Sequence, residues 1–162
     1  IGKSPCYLCA RMRRGHLYHR AKDLGCNKIA LGHHYDDVIE TVLMGMLYGG
    51  QIQTMMPKVR SANFEGMELI RPMYLIREST VKHWRDYNGL QFLQCACKFT
   101  ENGEKNEDDS KRRKMKRLIA TLESEDACVE LNIFRSVENV NHKSIIEYKD
   151  KDGVRHRFTE DY

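Results

Sequence analysis

The residues best suited to chemistry lie in the segment 31–40, which reads Leu-Gly-His-His-Tyr-Asp-Asp-Val-Ile-Glu. The apolar run 28–31 just before Gly32 is typical of a short buried strand, and the residues that follow are typical of a helix. Asp36 and Asp37 at the start of that helix can accept hydrogen bonds from free backbone N–H groups, or hold a metal ion such as Mg²⁺. Gly32 lets a ligand approach the backbone closely. The segment alone is about equally compatible with a ligand site and with an ordinary strand–loop–helix connection.

The second candidate site is formed by cysteines, which stand at positions 6, 9, 26, 95, 97 and 128. Cys6 and Cys9 form a Cys-x-x-Cys pair at the predicted start of a helix, where the helix dipole and nearby arginines favour thiolates. This spacing lets both sulfurs reach one metal centre, either zinc or an iron–sulfur cluster, although a redox dithiol or a chance pair has the same pattern. Cys95 and Cys97 follow a predicted strand at 91–94, so they too belong at a strand's carboxyl end.

Size and composition limit the class of protein. The chain has 162 residues, 41% of them hydrophobic and 31% charged, which is ordinary for one globular domain. It has no apolar run of membrane-spanning length and no stretch that resembles a signal peptide, so we expect a cytoplasmic protein with no membrane partner.

The net charge of +4 is concentrated in two basic patches, at 11–20 and 111–117. Such patches fit contact with a polyanion, although a solvated helix face is the commoner explanation.

Periodicity and turn residues predict the order of the elements. We expect helices over about 4–24, 36–48, 79–87 (capped by Ser79 or Thr80), 110–122 and 128–137. Strands are expected at 28–31, within 51–72 (notably 67–70) and at 91–94, and a hairpin or a loose tail after residue 139. The isolated Cys26 and Cys128 are predicted to be small core residues.

Three features together carry a family resemblance. They are Cys-Tyr-Leu-Cys-Ala-Arg-Met-Arg-Arg-Gly (6–15), Ala-Leu-Gly-His-His-Tyr-Asp-Asp (30–37) and the later cysteine pair after a predicted strand. In this order and spacing the chain resembles the tRNA 2-thiocytidine synthetase family, which are ATP-pyrophosphatase (PP-loop) enzymes related to the tRNA-lysidine and tRNA-2-thiouridine synthetases. Further matches are Leu-x-x-x-x-Tyr-Gly-Gly (43–50), Met-x-Pro-Lys (55–58) and Ile-Arg-Pro (70–72). The resemblance covers roughly residues 4–138.

The resemblance implies a fold and a reaction. The fold would be α/β, the C-terminal part of a Rossmann-like parallel sheet of the adenine nucleotide alpha hydrolase type, with a helical C-terminal segment. Residues 1–138 would be a partial PP-loop domain and 139–162 a tail or hairpin. Family members bind ATP and Mg²⁺, adenylate the carbonyl oxygen of a tRNA cytidine and replace that oxygen with sulfur. The implied partners are tRNA and a sulfur donor, either a cysteine desulfurase or sulfide, and a homodimer is compatible with the sequence.

The resemblance also implies which residues of this chain correspond to the family's site residues. Cys6 and Cys9 match two of the three cysteines that hold a [4Fe–4S] cluster, which leaves one iron open to take sulfur. The third ligand would be Cys95 or Cys97, of which we favour Cys95. Asp37 matches a catalytic aspartate that binds Mg²⁺ or polarises the nucleotide.

The same resemblance assigns the nucleotide-binding residues. Gly32 and His33 would lie against the adenosine, and Arg13 would contact the reacting phosphate or substrate.

One family motif is absent. The pyrophosphate loop Ser-Gly-Gly-x-Asp-Ser occurs nowhere in the 162 residues, and Gly49-Gly50 does not replace it because this pair follows a predicted helix. We therefore expect the chain to be the C-terminal part of such an enzyme, with the loop upstream of Ile1, and to be inactive in ATP hydrolysis by itself.

Two alternatives remain open from the residues. In the first, the four cysteines Cys6, Cys9, Cys95 and Cys97 hold structural zinc, and the basic patches bind RNA without catalysis. In the second, the chain belongs to a PP-loop enzyme that thiolates or amidates a different substrate. The identity of the metal separates the first alternative from the cluster hypothesis, because a closed four-sulfur zinc site has no open coordination position.

Overall fold

The fold is that of a computed structural model, which describes residues 5–92 and 107–160. The helices in this part of the chain are α1 (Pro5–Asp23), α2 (Tyr35–Gly49), α3 (Glu78–Tyr87), α4 (Glu107–Glu125) and α5 (Val129–Glu138). The strands are β1 (Lys28–Ala30), β2 (Lys58–Arg60), β3 (Glu68–Ile70), β4 (Glu147–Lys149) and β5 (Arg155–Arg157). Short 3₁₀ turns lie at His142–Ser144 and Phe158–Glu160. The predicted helices are therefore all present, and the α/β class is confirmed.

The described strands form two small sheets. In the first, β3 lies in the centre, parallel to β1 and antiparallel to β2, with Ile29 opposite Leu69 and Val59 opposite Leu69 on the other side. The second is the antiparallel hairpin of β4 and β5, in which Tyr148 faces His156. Of the two forms expected after residue 139, a hairpin or a loose tail, the structure has the hairpin.

The main core lies where α2 packs against α4 and α5. Val38 and Ile39 of α2 are fully buried there against Ile119 of α4 and Phe134 of α5. Val38 and Val42 of α2 lie four residues apart, as do Met115 and Ile119 of α4, and all four are buried. One apolar face of each of these helices is thus removed from water, which is the main stabilising contribution in such a fold. Helix α1 packs separately, through stacking of Tyr18 on the Phe64 ring, with the ring centroids 4.7 Å apart.

Helix α2 begins and ends at backbone positions that its sequence specifies. His34 is the N-cap residue, and its ring accepts a hydrogen bond from the Asp37 N–H while the Asp37 carboxylate accepts from the His34 N–H. This reciprocal pair is a capping box. At the other end Gly50 adopts the left-handed conformation (φ 60°) that closes the helix, as predicted.

Three expectations about local structure were wrong. Helix α3 begins at Glu78 without a cap from Ser79 or Thr80, because a carboxylate from α2 binds its first N–H group instead. Cys26 and Cys128 are exposed and do not lie in the core.

The strand expected at 91–94 is tested only in its first half. Gln91 and Phe92 are not in a strand, and residues 93–94 lie outside the described part. Within the described residues, no helix is long and apolar enough to cross a membrane.

Candidate active site

The carboxyl ends of β1 and β3 lie side by side because these strands are parallel. The Leu31 N–H donates to the Ile70 carbonyl (2.9 Å), so the ladder continues to the last residue before Gly32. β1 ends before Gly32, whereas Arg71 after β3 still donates its N–H to the Pro57 carbonyl next to β2 (2.9 Å). Ligand sites of open α/β sheets lie at such carboxyl edges.

A cleft of about 450 Å³ opens beside this edge and is called the arginine cleft. Gly32 and His33 line it from the loop after β1, and Arg13 and Arg14 line it from α1. The structure thus brings together three of the predicted site residues, Gly32, His33 and Arg13, from two elements. Both arginine side chains are exposed, so the cleft presents positive charge to an incoming ligand.

Gly32 lies close to a neighbouring side chain. A Cβ atom there would lie 3.3 Å from the terminal methyl group of Met73, which would have to shift by a few tenths of an ångström. As glycine, the residue leaves its backbone accessible at the edge of the cleft that it lines.

His33 is held by an arginine. The Arg71 Nε–H donates to His33 Nδ1 (3.2 Å), and burial, followed by the positive charge of Arg71, lowers the pKa of His33 below its usual value of 6.5. Burial and the Arg71 charge thus both favour the neutral form of the His33 ring.

Asp37 faces a second pocket, on the α4 side of the loop. This pocket measures about 220 Å³ and is called the Asp37 pocket; it is lined by His34, Asp37, Glu40, Glu78, Arg112, Arg113 and Lys116. The Asp37 Oδ1 atom lies 2.5 Å from Nη1 of Arg112, whose charge is also 3.4 Å from the carboxylate of Glu40. Arg112 was expected to point outward or to a partner, so this contact is one that the sequence reasoning missed.

Asp36 has a structural role instead. Its Oδ2 atom accepts the first N–H group of α3, that of Glu78, at 2.7 Å, and its other oxygen lies 3.5 Å from the Arg77 guanidinium. The two neighbouring carboxylates therefore point to different partners, and Asp36 is committed to holding α3 against α2.

The structure describes some of the side chains predicted to bind Mg²⁺ or a cysteine-ligated metal, but not all of them. Among residues 5–92 and 107–160, no group of three or more His, Cys, Asp or Glu side chains is arranged to hold a metal ion. Asp37 is a single carboxylate, which still suits Mg²⁺, because nucleotide-bound Mg²⁺ is held by one or two carboxylates together with phosphate oxygens. Arg112 would have to leave Asp37 for this to occur.

The cysteine pair lies at the start of α1. Cys9 is an exposed free thiol, and Cys6 is on the same helix one turn earlier, with its side chain outside the described part. Residues three apart on a helix share a face, which fits thiolate ligation of one metal centre. Cys95 and Cys97 lie outside the described residues, so the identity of the further ligands stays a prediction.

Comparison with known proteins adds a family to this geometry. The family model described as a PP-loop domain matches residues 8–106, more than half of the chain. The chain belongs to the PP-loop domain family. The match spans α1 from Leu8 onward, the Gly32–His33 loop, and the residues of α2 that line the Asp37 pocket.

Curated relatives agree with this PP-loop assignment. A tRNA-cytidine(32) 2-sulfurtransferase of Syntrophotalea carbinolica is 38% identical over 151 residues, 93% of this chain and 56% of the relative. Another, from Francisella philomiragia, is 41% identical over 140 residues, 86% of this chain and 52% of the relative. The chain therefore spans about half the length of the curated relatives it matches.

A solved structure supports the fold. The chain is similar to the U34-tRNA thiolase NcsA from Methanococcus maripaludis, solved with its [4Fe–4S] cluster. The TM-score is 0.62 at 21% identity, and the match covers 90% of this chain and 48% of that one. This likeness confirms the α/β fold.

Proposed function

We propose that this chain belongs to an ATP-dependent tRNA sulfurtransferase that converts a cytidine to 2-thiocytidine. The main support is the adjacency of two features on α1. Cys9 is followed at once by Ala10, which lines the arginine cleft, and by Arg13 one helical turn later. One turn of helix rises about 5.4 Å, so a sulfur carrier at Cys9 and a nucleotide in the cleft would be close neighbours.

The reaction would proceed in two substitutions. The cytidine O2 atom attacks the α-phosphorus of ATP and pyrophosphate leaves. Sulfide then adds at C2, the C2–O bond breaks, and AMP leaves with the former oxygen. The sulfide would be supplied as such, or be released by a thiol reductant, which provides two electrons, from the persulfide of a cysteine desulfurase. Both steps build negative charge on phosphate oxygens, which the guanidinium groups of Arg13 and Arg14 are placed to stabilise in the cleft.

Gly32 and His33 would bind the nucleotide. The absence of a side chain at position 32 lets the adenosine lie against the backbone, and the His33 ring supplies one polar contact at the same edge. Asp37 would hold Mg²⁺, which when bound neutralises phosphate charge. For this, the carboxylate must exchange Arg112 for the ion.

Three cysteines would hold the [4Fe–4S] cluster: Cys6, Cys9 and either Cys95 or Cys97. A cluster with three protein thiolates has one iron without a protein ligand, where sulfur can bind. The exposure of Cys9 fits a group that must meet both a sulfur donor and a tRNA base.

The basic surfaces of α1 and α4 would contact tRNA. Arg11, Arg20, Lys114 and Arg117 are exposed, whereas Arg112 and Lys116 are engaged in ion pairs with α2 and α3. The exposed subset is therefore the part of the two patches available to a phosphate backbone. A tRNA substrate implies action in the cytoplasm.

The direct test replaces cysteines in the chromosomal gene that encodes this chain. We expect Cys9→Ser to abolish 2-thiocytidine in digests of total tRNA analysed by mass spectrometry. Cys26→Ser, which removes another exposed thiol, is the matched control and should leave the nucleoside unchanged. Unchanged 2-thiocytidine in the Cys9→Ser strain would refute the proposal, and loss of a thiouridine instead would favour a PP-loop enzyme with a different base.

A further inference from the structure

Arg71 is the residue of the Ile-Arg-Pro motif to which neither the reaction nor the fold has given a role. It follows β3 directly, and its N–H donates to the Pro57 carbonyl (2.9 Å) while its carbonyl accepts from the Tyr74 N–H (3.2 Å). The side chain is partly buried, and its Nη1 atom donates to the Met56 carbonyl. Backbone and side-chain contacts together fix the direction of the guanidinium.

The fixed guanidinium meets the His33 ring at one nitrogen. Arg71 Nε lies 3.2 Å from His33 Nδ1. Arginine has N–H donors and no acceptor, and it keeps its proton at every pH at which proteins fold, so Nδ1 must be the acceptor in this bond. A neutral imidazole with a lone pair on Nδ1 carries its single proton on Nε2.

We infer that Arg71 is a positioning residue that fixes His33 as the neutral Nε2–H tautomer, so that the ring donates a hydrogen bond to an acceptor atom of the nucleotide bound in the arginine cleft. This inference rests on the proposed nucleotide-binding function of the cleft. Arg71 itself need not touch the nucleotide, because its Nε–H is occupied by His33. The choice of tautomer sets the ligand chemistry: Nε2 offers a proton, not a lone pair.

The charges around the ring favour the same neutral state. Burial and the cations of Arg71 and Arg112 lower the pKa of His33, and the neighbouring His34 acts in the same direction. Among these neighbours in the described residues, the carboxylate of Asp37 opposes them. A proton added at Nδ1 would also place an imidazolium N–H against the Arg71 N–H, which removes the hydrogen bond.

Nitrogen NMR of the purified chain tests this directly. In ¹⁵N-labelled protein, long-range ¹H–¹⁵N correlations distinguish protonated from unprotonated ring nitrogens, and comparison with His33→Gln assigns the His33 signals. We expect Nδ1 to be unprotonated and Nε2 protonated at pH 7. In Arg71→Met both tautomers should be populated, and the pKa of His33 should rise because the Arg71 cation no longer opposes protonation of the ring.

The control is Arg60→Met, which removes an exposed arginine of β2 that does not line the arginine cleft. It should leave both the tautomer and the pKa of His33 unchanged. A proton on Nδ1 in the unsubstituted chain overturns the inference even if Arg71→Met does not fold, and so does an unchanged tautomer in a folded Arg71→Met. These outcomes are independent of the cysteine test: retained 2-thiocytidine in the Cys9→Ser strain refutes the function and leaves the tautomer result standing.

Discussion

Asp37 and Arg112 form an ion pair of 2.5 Å between helices α2 and α4, although they lie 75 residues apart in the chain. The same Arg112 nitrogen lies 3.4 Å from Glu40, which is one turn further along α2 and only 3% exposed. One cation thus compensates two carboxylates on one helix face. The pair ties the basic helix α4 to the first turn of α2, which follows the loop that carries Gly32 and His33.

Removing Arg112 should destabilise the fold. In Arg112→Met the buried Glu40 and the partly buried Asp37 lose their common cation, and we expect the free energy of unfolding to fall by about 1–2 kcal/mol. This loss is smaller than that expected for a fully buried ion pair, because the Arg112 side chain is 39% exposed and solvent screens its charge. Urea unfolding measures the change. Arg117→Met on the exposed face of the same helix is the control, and an equal effect of both variants would contradict this role of Arg112.

Glu40 predicts a pH dependence. Burial raises its pKa above the ordinary value of 4.5, and Arg112 offsets this only in part. Since the folded state then binds the proton more tightly than the unfolded state, this contribution to stability is fully present below about pH 4.5 and is lost as pH rises through the folded pKa. We expect the unfolding free energy of the unsubstituted chain, relative to Glu40→Gln, to fall as pH rises from 4.5 towards 8. A difference that is constant across this range would contradict the raised pKa.

Removing the Asp36 carboxylate should lower the free energy of unfolding by more than removing an exposed aspartate does. In Asp36→Ala the Glu78 N–H at the start of α3 loses its acceptor, and we expect a loss of about 1–2 kcal/mol in thermal or urea unfolding. Hydrogen exchange at the Glu78 amide should accelerate in the same variant. Asp86→Ala removes an exposed carboxylate paired with its neighbour Arg85 and should cost less than about 0.5 kcal/mol. Unchanged exchange at Glu78 would show that the cap is not formed.

Replacing either of two helix glycines by alanine should change the stability of the fold, but in opposite directions. Gly15 in α1 has open space at its Cβ position, so Gly15→Ala should stabilise the chain by about 0.5–1 kcal/mol through helix propensity. At Gly45 in α2 a Cβ atom would lie 2.8 Å from the Gln51 carbonyl oxygen. Gly45→Ala should therefore destabilise by roughly 1–3 kcal/mol, because backbone must move. Thermal unfolding of the pair compares them, and stabilisation by Gly45→Ala would show that the turn after α2 is looser than described.

Local structure could be predicted from the sequence because its causes are local. The apolar spacing and the terminal glycines of α1 and α2 specify both helices, and α1 (Pro5–Asp23) and β1 (Lys28–Ala30) lie within a residue or so of their predicted limits. The grouping of Gly32, His33 and Arg13 at one cleft was expected from the family resemblance, and only the place of Gly32 after a strand follows from local sequence signals.

Contacts between distant segments could not be predicted in the same way. The parallel pairing of β1 with β3, with β2 on the outer side, depends on packing of the whole sheet. The capping of Glu78 by Asp36, across 42 residues, replaced the local cap that Ser79 or Thr80 suggested. The exposure of Cys26 shows the same limit, because a cysteine's burial depends on which elements cover it and not on its neighbours in sequence.

The central claim, a sulfur-carrying cluster on the cysteines of α1, is tested most directly by the metal content of the chain. The protein should be purified without oxygen, and iron, acid-labile sulfide and zinc measured together with the visible absorption spectrum. We predict iron and sulfide in equal amounts with a visible absorption band, both lost in Cys9→Ser and retained in Cys26→Ser. Stoichiometric zinc without a visible band, or iron that persists in Cys9→Ser, would contradict the account.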